Sequence, residues 1–214
     1  ALNLGAASGG NGTYNLSDGS LSAGYEYVGS GGTGAFTQSG GTNTVTYELC
    51  LGILSGNNGS YNLSGGTNTV TYDLYLGYNS GGNGSYNLSG TGSLSAGYEY
   101  IGNSGTGAFT QSGGTNTISN YLYLGYGSGS NGSYNLSGTG SLSAAFEYIG
   151  RFGTGAFTQT GGTNTVGTLI INNGAYTLSG GTLTVGISMD NGGVFNLAGG
   201  TLTGGGALAN KGLV

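Results

Sequence analysis

Carboxylates are the residues of this 214-residue chain best suited to chemistry, because the chain has no histidine and only two cations, Arg151 and Lys211. General acid–base catalysis, which most often uses histidine, would fall to seven acids: Asp18, Glu26, Glu48, Asp73, Glu99, Glu147 and Asp190. A glycosidase needs two carboxylates about 5 to 9.5 Å apart. Glu26, Glu99 and Glu147 recur in YEY or FEY motifs at one phase of a repeat. An acidic residue that recurs with a repeat is more often solvated and promotes solubility. We therefore predict that these three glutamates are exposed and that the protein is not an enzyme.

The other classes of site are also poorly supplied with ligands. Calcium-binding solenoid repeats need an Asp in every turn, and that Asp is missing here. We therefore expect neither a metal nor a cofactor. The two cations are far apart in the sequence and cannot neutralise a run of phosphates, which excludes nucleic acid as a partner. No apolar run approaches the roughly 18 residues of a spanning helix, so no membrane insertion is expected. Cys50 is the sole cysteine, and we expect it to be a small residue in a ladder.

The elements that must position these residues are repeats. GAFTQSGG occurs at 34–41 and 107–114, and GAFTQTGG at 155–162. Nine glycines, each two residues before the aromatic residue of a repeated motif, divide the chain into units of about 19 to 25 residues, the length of one β-solenoid coil. The chain is therefore predicted to be all-β, a single-stranded parallel β-solenoid (β-helix). Its single domain spans 1–214, with a partial coil at 1–11 and coils that start at 12, 34, 59, 84, 107, 132, 155, 174 and 193.

Within each unit, large apolar and small polar residues alternate, which is typical of a strand with one buried face. The predicted buried aromatic ladder is Tyr14, Phe36, Tyr61, Tyr86, Phe109, Tyr134, Phe157, Tyr176 and Phe195. Two residues later most coils have Leu, but three have Gln38, Gln111 or Gln159. An unpartnered buried amide would cost about 1 to 3 kcal/mol. Either a Tyr hydroxyl of an adjacent coil meets each Gln amide, or each Gln lies near a corner that water reaches.

A second alternation affects the middle of each unit. Four asparagines occupy the position that holds Leu in other coils: Asn43, Asn68, Asn116 and Asn164. Asparagine is common at turns, and we predict that this stack lies at corners and satisfies turn backbone.

Hydroxyl residues at alternate positions form the most regular outward feature. The candidate hydroxyl face consists of Thr42, Thr44, Thr67, Thr69, Thr115, Thr117, Thr163, Thr165, Thr182, Thr184, Thr201 and Thr203, interrupted by Ser20, Ser22, Ser93, Ser95, Ser141 and Ser143. It resembles the Thr-x-Thr array of β-solenoid ice-binding proteins, which implies ice binding as a third candidate function. Thr also simply suits an exposed strand. The tyrosines of YLYLGY and YEYVG could form an aromatic track for polysaccharide, which makes a polysaccharide-binding or adhesin module the second candidate.

The motifs GTYNLS, GAFTQSGGTNTV, YLYLGY and GGTLTGGGALANKG resemble repeats of secreted bacterial surface proteins, including autotransporter-associated β-strand repeats and passenger-like β-helices. The resemblance implies an extracellular or cell-surface solenoid and supplies no catalytic residues. Neither end reads as a cap, so we predict assembly edges at Leu2 and Leu4 and at Leu213 and Val214. The first candidate function is accordingly a structural filament or surface stalk, built by head-to-tail stacking with further copies of the chain or with flanking repeats.

Overall fold

The fold is a parallel β-solenoid of about nine coils, as the repeats predict, and the computed structural model describes residues 1–210. A typical coil has a short strand, a glycine turn and a longer strand. The short strands are β2 (Asn11–Leu16), β4 (Thr33–Gln38), β6 (Asn58–Leu63), β8 (Asn83–Leu88), β10 (Thr106–Gln111), β12 (Asn131–Leu136) and β16 (Val194–Leu197). The longer strands are β3 (Ser20–Val28), β5 (Thr42–Leu51), β7 (Thr67–Leu76), β9 (Ser93–Ile101), β11 (Thr115–Leu124) and β13 (Ser141–Ile149). Strands β14 (Thr154–Ile171) and β15 (Gly174–Asn191) include both parts, and β1 (Leu2–Leu4), β17 (Thr201–Thr203) and β18 (Ala207–Asn210) are partial rungs.

Matching letters of successive coils lie on top of one another. All strand pairs are parallel; for example, Gly59 pairs with Gly84, and Tyr61 with Tyr86. The period-2 pattern explains this register, because Tyr61 is buried while Ser60 and Asn62 on either side of it are half-buried on the outer surface. A slip of one residue would turn the buried residues of a strand outward.

Glycine is required where two sides of a coil approach closely. A Cβ on Gly59 would overlap the carbonyl oxygen of Val28 and the backbone nitrogen of Gly52. Gly52 itself has a φ of 67°, a conformation that side chains rarely adopt. The sharp corner between the longer strand and the next short strand therefore depends on two glycines per coil.

The longer strand bends midway and so presents two outer surfaces. In β7 the register with β9 is irregular between Val70 and Asp73, and Thr71 and Tyr72 at the bend are exposed. Residues before the bend form the hydroxyl face. Residues at the bend and after it form a second surface, called here the tyrosine face.

The core is centred on the predicted aromatic ladder. From Phe36 to Tyr176 the rings are fully buried and stack with centroid separations of 4.4–5.0 Å and interplanar angles of 2–6°. The prediction of burial is wrong for Tyr14 and Phe195, which are only half-buried. Within the described residues each of these two has a ring neighbour on one side only, so one ring face is left uncovered.

Candidate functional site

The three periodic glutamates lie inside the solenoid, so the prediction that they are solvated is wrong. Glu26, Glu99 and Glu147 have no exposed surface. Register explains their position: Glu26 pairs with Leu49 of the next coil, and Glu99 pairs with Leu74 of the preceding coil. They occupy an inward slot that holds leucine elsewhere.

Each glutamate belongs to a polar network that spans three coils. Asn43 Nδ2 donates to Glu26 Oε2 at 3.0 Å and to the Tyr61 hydroxyl oxygen at 3.2 Å. The Tyr61 hydroxyl donates to Gln38 Oε1 at 2.6 Å. Gln38 Nε2 donates to two backbone carbonyl oxygens, at 2.9 and 3.2 Å. Glutamate comes from one coil, asparagine and glutamine from the next, and tyrosine from the third.

The same network occurs three times, and in each copy both the oxygen and the nitrogen of the buried glutamine amide are hydrogen-bonded. Oδ1 of each network asparagine and Oε1 of each glutamate are buried without a hydrogen-bond partner. The other copies are Glu99–Asn116–Tyr134–Gln111 and Glu147–Asn164–Tyr176–Gln159. The tyrosine–glutamine alternative is thus confirmed, and the glutamines are fully buried rather than near water. The placement of the asparagines at corners is wrong: they are buried and donate to side chains. Asn68 donates to the Tyr86 hydroxyl oxygen, but leucines fill the glutamate and glutamine slots there.

Burial favours the neutral form of the three carboxyl groups. Desolvation raises the pKa of Glu26 to about 7 and the pKa values of Glu99 and Glu147 to about 8, while the asparagine hydrogen bonds act in the lowering direction. In residues 1–210 the only Lys or Arg is Arg151, and it packs on aromatic rings elsewhere. The glutamates are enclosed and have no surface that a substrate could reach, so the networks serve the architecture.

The tyrosine face consists of aromatic columns that run along the axis. The bend column consists of two stacked runs, Tyr25–Tyr47–Tyr72 and Tyr98–Tyr121–Phe146. The strand column is Tyr27, Tyr75, Tyr100, Tyr123 and Tyr148. In the strand column, Tyr75 and Tyr100 stack at 4.8 Å, and Tyr100 and Tyr123 at 5.2 Å. Ring faces are therefore turned toward neighbouring coils, and the surface consists mainly of ring edges and hydroxyl groups.

The strand column has one missing ring, at Cys50. In register, Tyr27 pairs with Cys50, and Cys50 pairs with Tyr75. The cysteine is buried and is a ladder residue, as its small size suggests. Above it lies a cleft of about 330 Å³, which we call the Cys50 cleft, lined by Tyr27, Ser30, Glu48, Cys50, Ile53 and Tyr78.

The hydroxyl face is present as two ladders along the solenoid. The first ladder is Ser20, Thr42, Thr67, Ser93, Thr115, Ser141, Thr163, Thr182 and Thr201, and the second lies two residues later in each coil. All these side chains are exposed or half-buried, and some bond between coils, such as Thr115 Oγ1 to Ser93 Oγ at 3.3 Å. The serine coils interrupt the rows of threonine methyl groups.

The remaining predictions concern edges, metals and membranes. Leu2 and Leu4 lie in β1, which pairs with β3; Leu4 is buried and Leu2 half-buried. Leu213 and Val214 lie outside the described residues. Residues 1–210 contain no group of three or more His, Cys, Asp or Glu side chains arranged to hold a metal ion. That part of the chain also has no helix of the length and apolar character that a membrane span requires.

Comparison of the chain with protein-family profiles, curated proteins and solved structures found no match.

Proposed function

We propose that this protein is a structural rod that serves as an extracellular filament or surface stalk and grows by stacking coil on coil. The observation that supports this function best is the continuous parallel register, in which each coil offers the next the same backbone ladder and the same ring column. A further coil of the same kind would extend both without any new type of contact. The extracellular setting is supported by the resemblance of the motifs to those of bacterial surface proteins.

The edge at the amino-terminal side has the chemistry that such stacking needs. In the described residues, β1 pairs only with β3, and β2 has β4 as its ladder partner. The half-buried Leu2, Tyr14 and Leu21 lie at the same end of the core. An edge with unpaired backbone groups and apolar side chains recruits another strand. The added coil can come from a second copy or from flanking sequence, and a head-to-tail contact that does not close gives a fibre.

Negative-stain electron microscopy of the purified chain tests the proposal. We expect rods many times longer than one nine-coil unit, whereas discrete short rods at all concentrations would refute self-stacking. Leu2→Lys places a charge at the edge and should shorten the rods. Leu54→Lys is the matched control, because Leu54 is half exposed on a loop at the side of the solenoid and its substitution should leave rod length unchanged.

The tyrosine face supports polysaccharide binding as a second candidate function. Its columns present a long row of aromatic edges and hydroxyl groups, and rings of the bend column such as Tyr47 and Tyr72 are about half exposed. Hydroxyl groups can both donate to and accept from sugars. A glycan array tests this candidate: binding that Tyr72→Ala weakens would support it, and the absence of binding to any glycan would contradict it.

A further inference from the structure

The Cys50 cleft is an open cleft at the one position between Tyr27 and Tyr148 where the strand column lacks a tyrosine. Tyr27 forms one wall, and Tyr78 contributes to another from the loop after β7. Tyr78 is held edge-on against Tyr75, with the ring centroids 4.8 Å apart and an interplanar angle of 79°. The floor is Cys50, which is too small to fill the space that a ring occupies in the coils of Tyr75, Tyr100, Tyr123 and Tyr148.

The charges around the Cys50 cleft are negative. Glu48 lines the cleft and also lines a neighbouring depression of about 250 Å³, to which Asp73 contributes. Glu48 and Asp73 are register partners on adjacent coils. The Cys50 thiol donates to Glu48 Oε2 at 4.0 Å, and the Tyr75 hydroxyl donates to Asp73 Oδ2 at 3.3 Å. No Lys or Arg is among the residues that line either space, so their electrostatic complement is a cation.

On the same face, tyrosine rings contact a positively charged side chain of the protein itself, Arg151. The Arg151 guanidinium lies 4.9 Å from the ring centroid of Tyr126 and 5.3 Å from that of Tyr123. Tyr123 and Tyr126 meet edge-on at 4.9 Å and 73°, nearly the geometry of Tyr75 and Tyr78. Arg151 lies in the coil that follows Tyr123 and Tyr126. Cys50 lies in the coil that precedes Tyr75 and Tyr78, and its small side chain leaves space beside them. Rings within about 6 Å attract a cation through their quadrupole.

We propose that the Cys50 cleft binds an organic cation, namely the alkylammonium group of a small ligand, which packs against Tyr27 and Tyr78 and faces the carboxylate of Glu48. Asp73, in the neighbouring depression, adds a second negative charge nearby. Aromatic walls and a carboxylate in one cleft select for positive charge and apolar substituents together, because the ring faces attract a cation that has lost part of its hydration shell. A phosphate or an acidic sugar would be repelled by Glu48 in the cleft and by Asp73 next to it. The site is independent of rod formation, since the cleft lies on the side of the solenoid.

Titration calorimetry and ligand-observed NMR with choline test the proposal. Choline should bind, and its trimethylammonium protons should shift upfield next to the rings. The probe 3,3-dimethylbutan-1-ol has the same shape as choline but no charge, and it should bind at least about fivefold more weakly. Equal binding of the two probes would mean an apolar pocket only, and no binding of choline would equally overturn the proposal.

Two variants connect the binding to the cleft. Cys50→Tyr supplies the missing ring, so it should remove choline binding while the fold is kept, because tyrosine occupies this slot in five other coils. Glu48→Gln keeps the size of the side chain and should weaken binding about fivefold or more. Tyr98→Leu, on the same face but outside the cleft, is the control and should bind choline normally. Unchanged binding by Cys50→Tyr, with its fold verified by circular dichroism, would refute the site.

Discussion

The Tyr61 hydroxyl donates a 2.6 Å hydrogen bond to Gln38 Oε1 on the preceding coil, and this bond connects the aromatic ladder to the buried amides. Through Asn43 the connection extends to Glu26, one coil further back. Such a network forms only if the coil with glutamate, the coil with asparagine and glutamine, and the coil with tyrosine follow in that order. Buried polar groups are costly when unpaired, so the networks disfavour any shift of coils.

The contribution of the tyrosine–glutamine hydrogen bond to stability should be measurable by substituting phenylalanine for two tyrosines at equivalent positions of the repeat. Tyr134→Phe removes the donor to Gln111 Oε1 and the acceptor of Asn116, which leaves buried polar groups unpaired and should cost about 1–3 kcal/mol. Tyr86→Phe is the matched control, because the coil before Tyr86 has Leu63 in the glutamine slot, while the Tyr86 hydroxyl still accepts from Asn68. Urea unfolding should show the larger loss for Tyr134→Phe. Equal losses would contradict a special contribution of the glutamine bond.

Stability should fall as the pH rises from about 4.5 to about 8. Burial raises the pKa values of Glu26, Glu99 and Glu147 above the ordinary value of 4.5, so the unfolded chain releases these protons first. The stabilisation is complete below pH 4.5 and is lost as the pH rises through the folded-state values of about 7 and 8. Each carboxyl changes the unfolding free energy by about 1.4 kcal/mol per pH unit in that window. Thermal unfolding at several pH values checks the direction.

A single substitution separates this effect from general charge effects. Glu99→Gln keeps an acceptor for Asn116 Nδ2 and cannot ionise, so it should raise the melting temperature at pH 8 and reduce the pH slope by about one third. Asp18→Asn removes a charge from an exposed turn and should leave the slope unchanged. A slope that Glu99→Gln does not alter would show that the buried carboxyl groups do not cause it.

The sequence was sufficient to predict the fold, because its period-2 pattern and its nine glycine–aromatic markers admit few other arrangements. It was not sufficient for the glutamates. Acidic side chains are usually exposed, which favours a surface position for these residues. The repeat nevertheless contains a pattern that indicates their burial. Glu26, Glu99 and Glu147 align with leucines of neighbouring coils such as Leu49 and Leu74, and each is followed one coil later by a coil with Asn and Gln.

The outer surfaces were predictable in part. The hydroxyl ladders follow from alternation alone, and their side chains point outward. The Cys50 cleft depends on loop residues such as Ile53 and Tyr78, whose approach to the face is set by tertiary packing rather than by the repeat. The stacking of the tyrosine rings face to face across coils also requires the register of the bent strand, which the sequence pattern leaves open at the irregular positions.

Glycine at the coil corner should be irreplaceable. In Gly59→Ala the new methyl group would overlap backbone atoms of Val28 and Gly52, and backbone cannot move aside as a flexible side chain can. We expect a loss of several degrees in melting temperature or failure to fold. Gly24→Ala is the control: its Cβ would meet only the Tyr47 ring at 3.5 Å, and the repeat has alanine, Ala145, at the equivalent position. Similar losses for the two variants would contradict the packing argument.

Arg151 should stabilise the tyrosine face through cation–π contacts with the aromatic rings rather than through an ion pair. Its guanidinium lies within 6.0 Å of the ring centroids of Tyr123, Tyr126, Tyr148 and Phe152, and cation–π contacts at partly exposed sites contribute about 0.5–1 kcal/mol or more. Arg151→Met keeps an apolar stem and removes the charge, so it should lower the unfolding free energy by about that amount. Arg151→Lys should restore part of the loss. If Arg151→Met is as stable as the parent chain in chemical denaturation, packing of the stem rather than charge accounts for the position, and the analogy that this cation offers to the Cys50 cleft loses its force.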